Sequence, residues 1–191
     1  LYIDRHPSRH FSIRWFGHRL ASFLQQTTPY SEQPVLSEMA LFEWSLRNVF
    51  DAADFTPLNM EQLLQLPAES WGDLQLEFNP TIQRIELSWN APALWQAIDQ
   101  QQDPIDATEH DYPLPWICWR KTDQRNWFRS MDVDEAWALD QMRRQASFAD
   151  ICEGVCEWID VQHAAQRAAG HISRWCEDQL LIAIQPSTSS K

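Results

Sequence analysis

The chain has 191 residues, 44% of them apolar and 12% aromatic, which is ample for one packed domain or two small ones. Its formal net charge of −12 disfavours nucleic acid and anionic membranes as general partners. No apolar run approaches the roughly 20 residues needed to span a bilayer, and no signal-peptide pattern opens the chain, so a cytoplasmic location is expected.

Leu1, not Met, opens the chain inside what reads as a structured segment, so an upstream portion is expected. Over residues 12–24, Ile13, Phe16, Leu20, Phe23 and Leu24 recur at helical spacing, and Pro29 closes the segment. Val35, Met39, Phe42, Leu46 and Val49 predict a second helix over about residues 34–53. Asn59 can cap a short helix from Met60 to Leu66 that Pro67 ends.

The period then changes to two. Leu74, Leu76 and Phe78 alternate with polar residues, as do Ile85, Leu87 and Trp89, which predicts two half-buried strands that could pair with each other. One or two helical turns follow between Ala93 and Gln100. Residues 99–113 carry Asp99, Asp103, Asp106, Glu109 and Asp111 with no Lys or Arg, and read as an acidic linker. Two apolar runs, 116–120 and 127–131, flank Thr122 to Arg125 and predict a β-hairpin. Helices are expected at about 133–145, 148–158 and 160–183, the last with Val161, Ala165, Ala168, Ile172, Trp175 and Gln179 on one stripe. Residues 186–191 read as a disordered tail.

The expected class is therefore α+β, in two parts. An N-terminal helical segment with short strands occupies residues 1–98, and residues 114–185 form a winged-helix-like module of one β-hairpin plus three helices. In a DNA reader of that shape the helix capped by Ser147 would lie in the major groove. Its outward residues are Asp150, Glu153 and Glu157, and no Lys or Arg falls between Ser147 and Trp158. A duplex presents a phosphate charge about every 1.7 Å of its axis, so this helix is repelled by DNA and a protein-binding use is expected.

Eleven Trp suit cores and contact surfaces alike. An exposed strand edge can recruit an extended peptide as an added strand. Trp116, Ile117, Cys118, Trp119, Arg120, Trp127, Phe128 and Arg129 are the candidate peptide-binding residues, although their aromatic rings could equally bury the sheet on its helices. The two readings are compatible if one face of the hairpin is core.

Cys152 and Cys156 stand at i and i+4, with His163, His171 and Cys176 further along, and could be read as zinc ligands. Buried reduced thiols are the expected state of all four cysteines, Cys118 included. His6, His10 and His18 near Asp4 and Glu43 lack the spacing of a metal motif and are expected in surface or capping roles. No nucleophile elbow, dinucleotide fingerprint or P-loop occurs, so neither catalysis nor a cofactor is expected.

The order of His6-Pro7-Ser8-Arg9, Ile13 to Gly17, Leu41 to Trp44, Val49 to Asp54, Leu76 to Pro80, Ala93 to Trp95, Ile117 to Arg120 and Phe128 to Asp132 resembles the HvfC/BufC family. Its N-terminal region has been catalogued as a DNA-binding domain. The resemblance implies a non-catalytic modification chaperone, partner of multinuclear non-haem iron oxidative enzymes that modify cysteines in ribosomally made precursor peptides, some of these systems concerning copper handling. It also implies a helical region before His6 and a C-terminal module that binds a leader peptide along a strand edge. His6, Glu43, Trp44 and Asp51 match the family pattern, with structural roles equally able to explain them. The competing expectation is a transcriptional regulator, using Arg5, Arg9, Arg14 and Arg19 aligned along one helix as a basic face.

Overall fold

A computed structural model of the chain describes residues 1–7 and 13–185, and Ser8, Arg9, His10 and the expected tail at 186–191 lie outside the described residues. The fold is α+β, with helices α1 (Tyr2–Arg5), α2 (Leu20–Gln26), α3 (Val35–Asp51), α4 (Met60–Leu64) and α5 (Ala91–Asp99) before the hairpin and α6 (Val133–Arg143), α7 (Phe148–Val155) and α8 (Val161–Glu177) after it. Strands β1 (Gln75–Phe78) and β5 (Leu181–Gln185) make one antiparallel sheet. Strands β2 (Gln83–Trp89), β3 (Glu109–Arg120) and β4 (Asn126–Ser130) make another, in that order.

The chain divides into two interleaved units, residues 1–48 with 83–116 and residues 49–82 with 117–191, so β3 runs from one into the other. The expected strand pair β1–β2 is not formed. β1 instead pairs with β5, with Leu76 opposite Ile184 and Glu77 opposite Ala183. The expected helix at 160–183 stops at Glu177, because Gln179 turns left-handed (φ 60) and the chain re-emerges as β5. Acidic residues 109–113, expected in a linker, are the start of β3, and the helix expected at 12–24 is a 3-10 turn at Ile13–Gly17 followed by α2.

In the first unit Phe42, Leu46, Leu87, Ala91 and Ala97 are buried. Glu38 on α3 accepts the main-chain N–H groups of Ser88 and Trp89 at 2.9 and 2.8 Å, tying the end of β2 to the helix.

The second unit holds a continuous core in which Leu63, Leu76, Ile117, Trp119, Leu139, Met142, Ile151, Ile172, Trp175 and Leu180 are buried. α7 forms where expected, since Ser147 and Asp150 make a reciprocal capping box and Ile151 and Val155 face inward. On α8 the buried stripe is Ala164, Ala168, His171, Ile172 and Trp175, whereas Val161 and Ala165, expected on it, are exposed.

Among the described residues all four with positive φ outside glycine are glutamines, and Gln101, Gln145 and Gln179 follow the ends of α5, α6 and α8. Each sits where glycine is usual. After α6, Ala146 N–H reaches Gln141 O (3.1 Å) and Gln145 N–H reaches Met142 O (3.0 Å); after α8, Leu180 N–H reaches Trp175 O (2.8 Å). These bonds satisfy carbonyls that the helix end would otherwise leave open, and offset a left-handed cost of about 1 kcal/mol per residue. Gln179 contributes further, as its side-chain oxygen accepts Thr122 N–H at 2.9 Å.

Candidate peptide-docking face

The hairpin turn is closed by Lys121 N–H to Arg125 O (3.1 Å) and Gln124 N–H to Lys121 O (3.0 Å), with Gln124 left-handed at φ 65. The eight candidate peptide-binding residues then fall into four groups. Ile117, Cys118 and Trp119 are 0%, 0% and 2% exposed, so they belong to the interior and offer no pocket wall. Burial pushes the Cys118 thiol up to about 12, which makes it inert.

Arg120, 5% exposed, is likewise turned inward. Its guanidinium donates to the carbonyls of Phe50 (3.1 Å), Ala52 (2.8 Å) and Ala53 (3.1 Å), to Asp54 Oδ1 (2.9 Å) and to Gln124 Oε1 (2.7 Å). It clamps the chain leaving α3 and, contrary to expectation, is turned away from any peptide. The backbone on either side is tied as well, since Arg120 N–H donates to Thr81 Oγ1 (2.9 Å) and Arg120 O accepts from Asn79 Nδ2 (3.1 Å).

Trp116 and Phe128 are half-buried, and Trp127 is 43% exposed with Lys121 Nζ 4.6 Å from its ring centroid. Arg129 points into an ionic cluster. It donates twice to Glu135, at 2.6 and 2.9 Å, and once to Asp178 at 2.9 Å. Glu135 is 0% exposed and also accepts Trp175 Nε1 at 3.0 Å. Burial disfavours the charged guanidinium of Arg129, but the bonds and charges of Glu135 and Asp178 outweigh it and hold its pKa above the ordinary value.

A second set adjoins the first. Arg167 donates to Asp134 at 2.6 and 2.9 Å and to Asp132 at 2.7 Å, and His171 Nε2 lies 2.9 Å from Asp134. The His171 ring stacks on Trp175 with centroids 6.1 Å apart. Because Asp132 caps α6 and Asp134 and Glu135 lie in its first turn, the helix dipole favours these anions there. The network pins β4, α6 and α8 together. A cavity of about 390 Å³ beside it is bordered by His163, Arg167, Gly170 and Arg174, among others.

The Arg167 guanidinium, with a smaller contribution from His171, holds the Asp134 carboxyl at about 2, below its ordinary 3.8. A carboxylate with a depressed folded pKa stabilises the fold fully above its unfolded value and loses that contribution as pH falls through the folded one. Thermal unfolding followed by circular dichroism is therefore expected to show a drop between about pH 4 and pH 2 that Asp134→Asn removes in part.

These residues were legible only as exposed helix charge. The available signal was the spacing of Arg167, His171 and Arg174, which occupy one face of α8 opposite an acidic first turn on α6.

On α7, Asp150, Glu153 and Glu157 are exposed, as the sequence implies. In the first unit the family-matching His6 packs its ring on Tyr2 (4.9 Å) and Phe23 (6.0 Å), and Trp44 on Trp15 (6.3 Å) and His18 (6.5 Å). Glu43 and Asp51 are exposed. Arg5, Arg14 and Arg19 fall on α1, the 3-10 turn and the turn before α2, so no single helix aligns them. Arg5 and Arg14 lie over the rings of Phe23 and Trp15.

Among the described residues no group of three or more His, Cys, Asp or Glu is placed to hold a metal ion, and no helix is long and apolar enough to cross a membrane. No protein-family model matches the chain, and no curated protein matches it.

Proposed function

We propose that this chain is a non-catalytic partner protein that binds a ribosomally made, cysteine-containing precursor peptide in the cytoplasm and presents it to a multinuclear non-haem iron oxidative enzyme. The observation that carries the peptide-binding half is β4. It stands last in the order β2-β3-β4, is held in place through the ion pairs of Arg129 with Glu135 and Asp178, and carries the exposed Trp127 ring beside Lys121. An extended peptide added to such a strand gains main-chain hydrogen bonds, and the indole supplies an apolar contact for alternate side chains. The enzyme partner, the cysteine chemistry and a link to copper handling rest on the ordered motifs shared with the HvfC/BufC family. Iron ligands come from the enzyme.

The test is fluorescence anisotropy with a labelled synthetic leader from a precursor encoded beside this chain. Trp127→Ser and Phe128→Ser are expected to weaken binding about tenfold or more, an aromatic anchor being the kind of residue that dominates such contacts. Unaltered affinity in both variants, with melting temperatures unchanged, sinks the assignment. The regulator reading predicts duplex binding with a steep salt dependence, and the acidic face of α7 opposes it.

A further inference from the structure

Beyond the C-terminal end of α7, the helix that a winged-helix DNA reader would place in the groove, lies an apolar surface of a different kind. Val133 is 51% exposed, Trp158 45% and Val161 76%. Val133 and Trp137 stand at i and i+4 on α6 and so share a face. Trp137 joins that face to Trp158, their rings 5.6 Å apart.

The indole of Trp137 is locked in place. A Cβ added at Gly154 would stand 1.8 Å from its Cη2 and 2.4 Å from its Cζ2, so the ring lies directly on the backbone of α7 and any larger residue there would have to displace it. The two indoles form a ledge, Trp137 seated on α7 and Trp158 against it.

The segment that carries Trp158 and Val161 gives the ledge an acidic rim, whereas Arg167 stands 2.7 Å from Asp132, the neighbour of Val133. From Ser147 to Gln166 the chain has Asp150, Glu153, Glu157 and Asp160 and no Lys or Arg, and all four acids are exposed. A polyanion is repelled by that rim. A second copy of the chain is disfavoured too, since a two-fold contact would set the same acids against each other. What complements an apolar ledge with an acidic rim is an amphipathic segment with basic flanks.

We propose that the Trp137–Trp158 ledge docks a basic, helix-forming segment of a partner polypeptide, with its apolar stripe over Trp158 and Val161 and its Lys and Arg side chains against Glu153 and Glu157. This rests on the reading of the chain as a protein-binding partner, and gives it a second contact surface besides β4.

The probe is a labelled synthetic helix with leucine at i, i+3, i+4 and i+7 and lysine elsewhere, titrated with the full chain. Its control replaces every lysine with glutamate. Trp158→Ser and the pair Glu153→Lys with Glu157→Lys are each expected to weaken the lysine peptide about tenfold or more, and raised salt to weaken it further. Trp127→Ser leaves it unaltered.

Equal binding of the glutamate control, or of the lysine peptide to a folded Trp158→Ser chain, overturns the proposal. So does a dimer seen by sedimentation equilibrium that Trp158→Ser dissolves. A leader peptide that binds through β4 while the lysine peptide fails removes the ledge alone. A lysine peptide that binds as described while leader binding ignores Trp127 and Phe128 removes the strand-addition reading alone.

Discussion

Replacing Glu135 with alanine is expected to destabilise the second unit by about 3–5 kcal/mol, the usual cost of stranding a buried charge. The glutamate is 0% exposed and receives both Arg129 and Trp175 Nε1. Its removal leaves a half-buried guanidinium with Asp178 as its one remaining anionic partner and an indole N–H with nothing to donate to. Urea unfolding followed by tryptophan fluorescence should show a lowered midpoint with little change in slope, which is a change in stability and not in the surface exposed. The double variant Arg129→Met with Glu135→Leu is expected to lose less than Glu135→Ala by itself, because no charge is then left unpaired between them. Equal stability of Glu135→Ala and the parent chain would show that the cluster contributes nothing.

Arg120→Ala ranks next, at about 2–4 kcal/mol, through the carbonyls and carboxylate left without a donor. Three carbonyls at and just past the end of α3, those of Phe50, Ala52 and Ala53, converge with Asp54 and Gln124 on one planar fork. Lysine has a single ammonium in place of that fork and can serve only some of them, so Arg120→Lys should recover less than half of the loss. Hydrogen exchange should locate the damage. Amides around residues 49–54 are expected to lose protection while those of α8 keep theirs. Full rescue by lysine would mean that charge, not the geometry of the fork, is what matters there.

Arg120 also marks where the sequence misleads. At the end of the apolar run from Trp116 to Trp119 it looks like the polar end of a strand and a natural contact for a peptide. The distance to its partners at residues 50–54 exceeds 65 positions, as the bond to Asp54 spans 66. No local pattern encodes a guanidinium folding back over that separation. The neighbouring Trp127 shows the reverse, since its type and its place beside a turn suffice to put it near the surface.

Secondary structure divides along the same line. α3, α7 and the β3–β4 hairpin could be read directly because capping residues, turn chemistry and periodicity all act over a few residues. The end of α8 could not, as three of the four left-handed turns in glutamine close helices where glycine would have signalled a stop. β5 was hidden for a related reason. Leu180, Leu181, Ile182 and Ile184 continue an apolar run that fits a helix or a strand, and only pairing with β1, about a hundred residues earlier, decides between them.

The α+β class, the hairpin with three helices after it, and the acidic face of α7 are written in local periodicity, capping and charge. Only the tertiary structure decided that β1 pairs with β5, that residues 49–82 and 117–191 form one unit, and that Arg120, Arg129, Asp134 and Glu135 are inward-facing ties. Those outcomes depend on which distant groups can satisfy a buried donor or acceptor, and such partners are chosen by packing rather than by spacing along the chain.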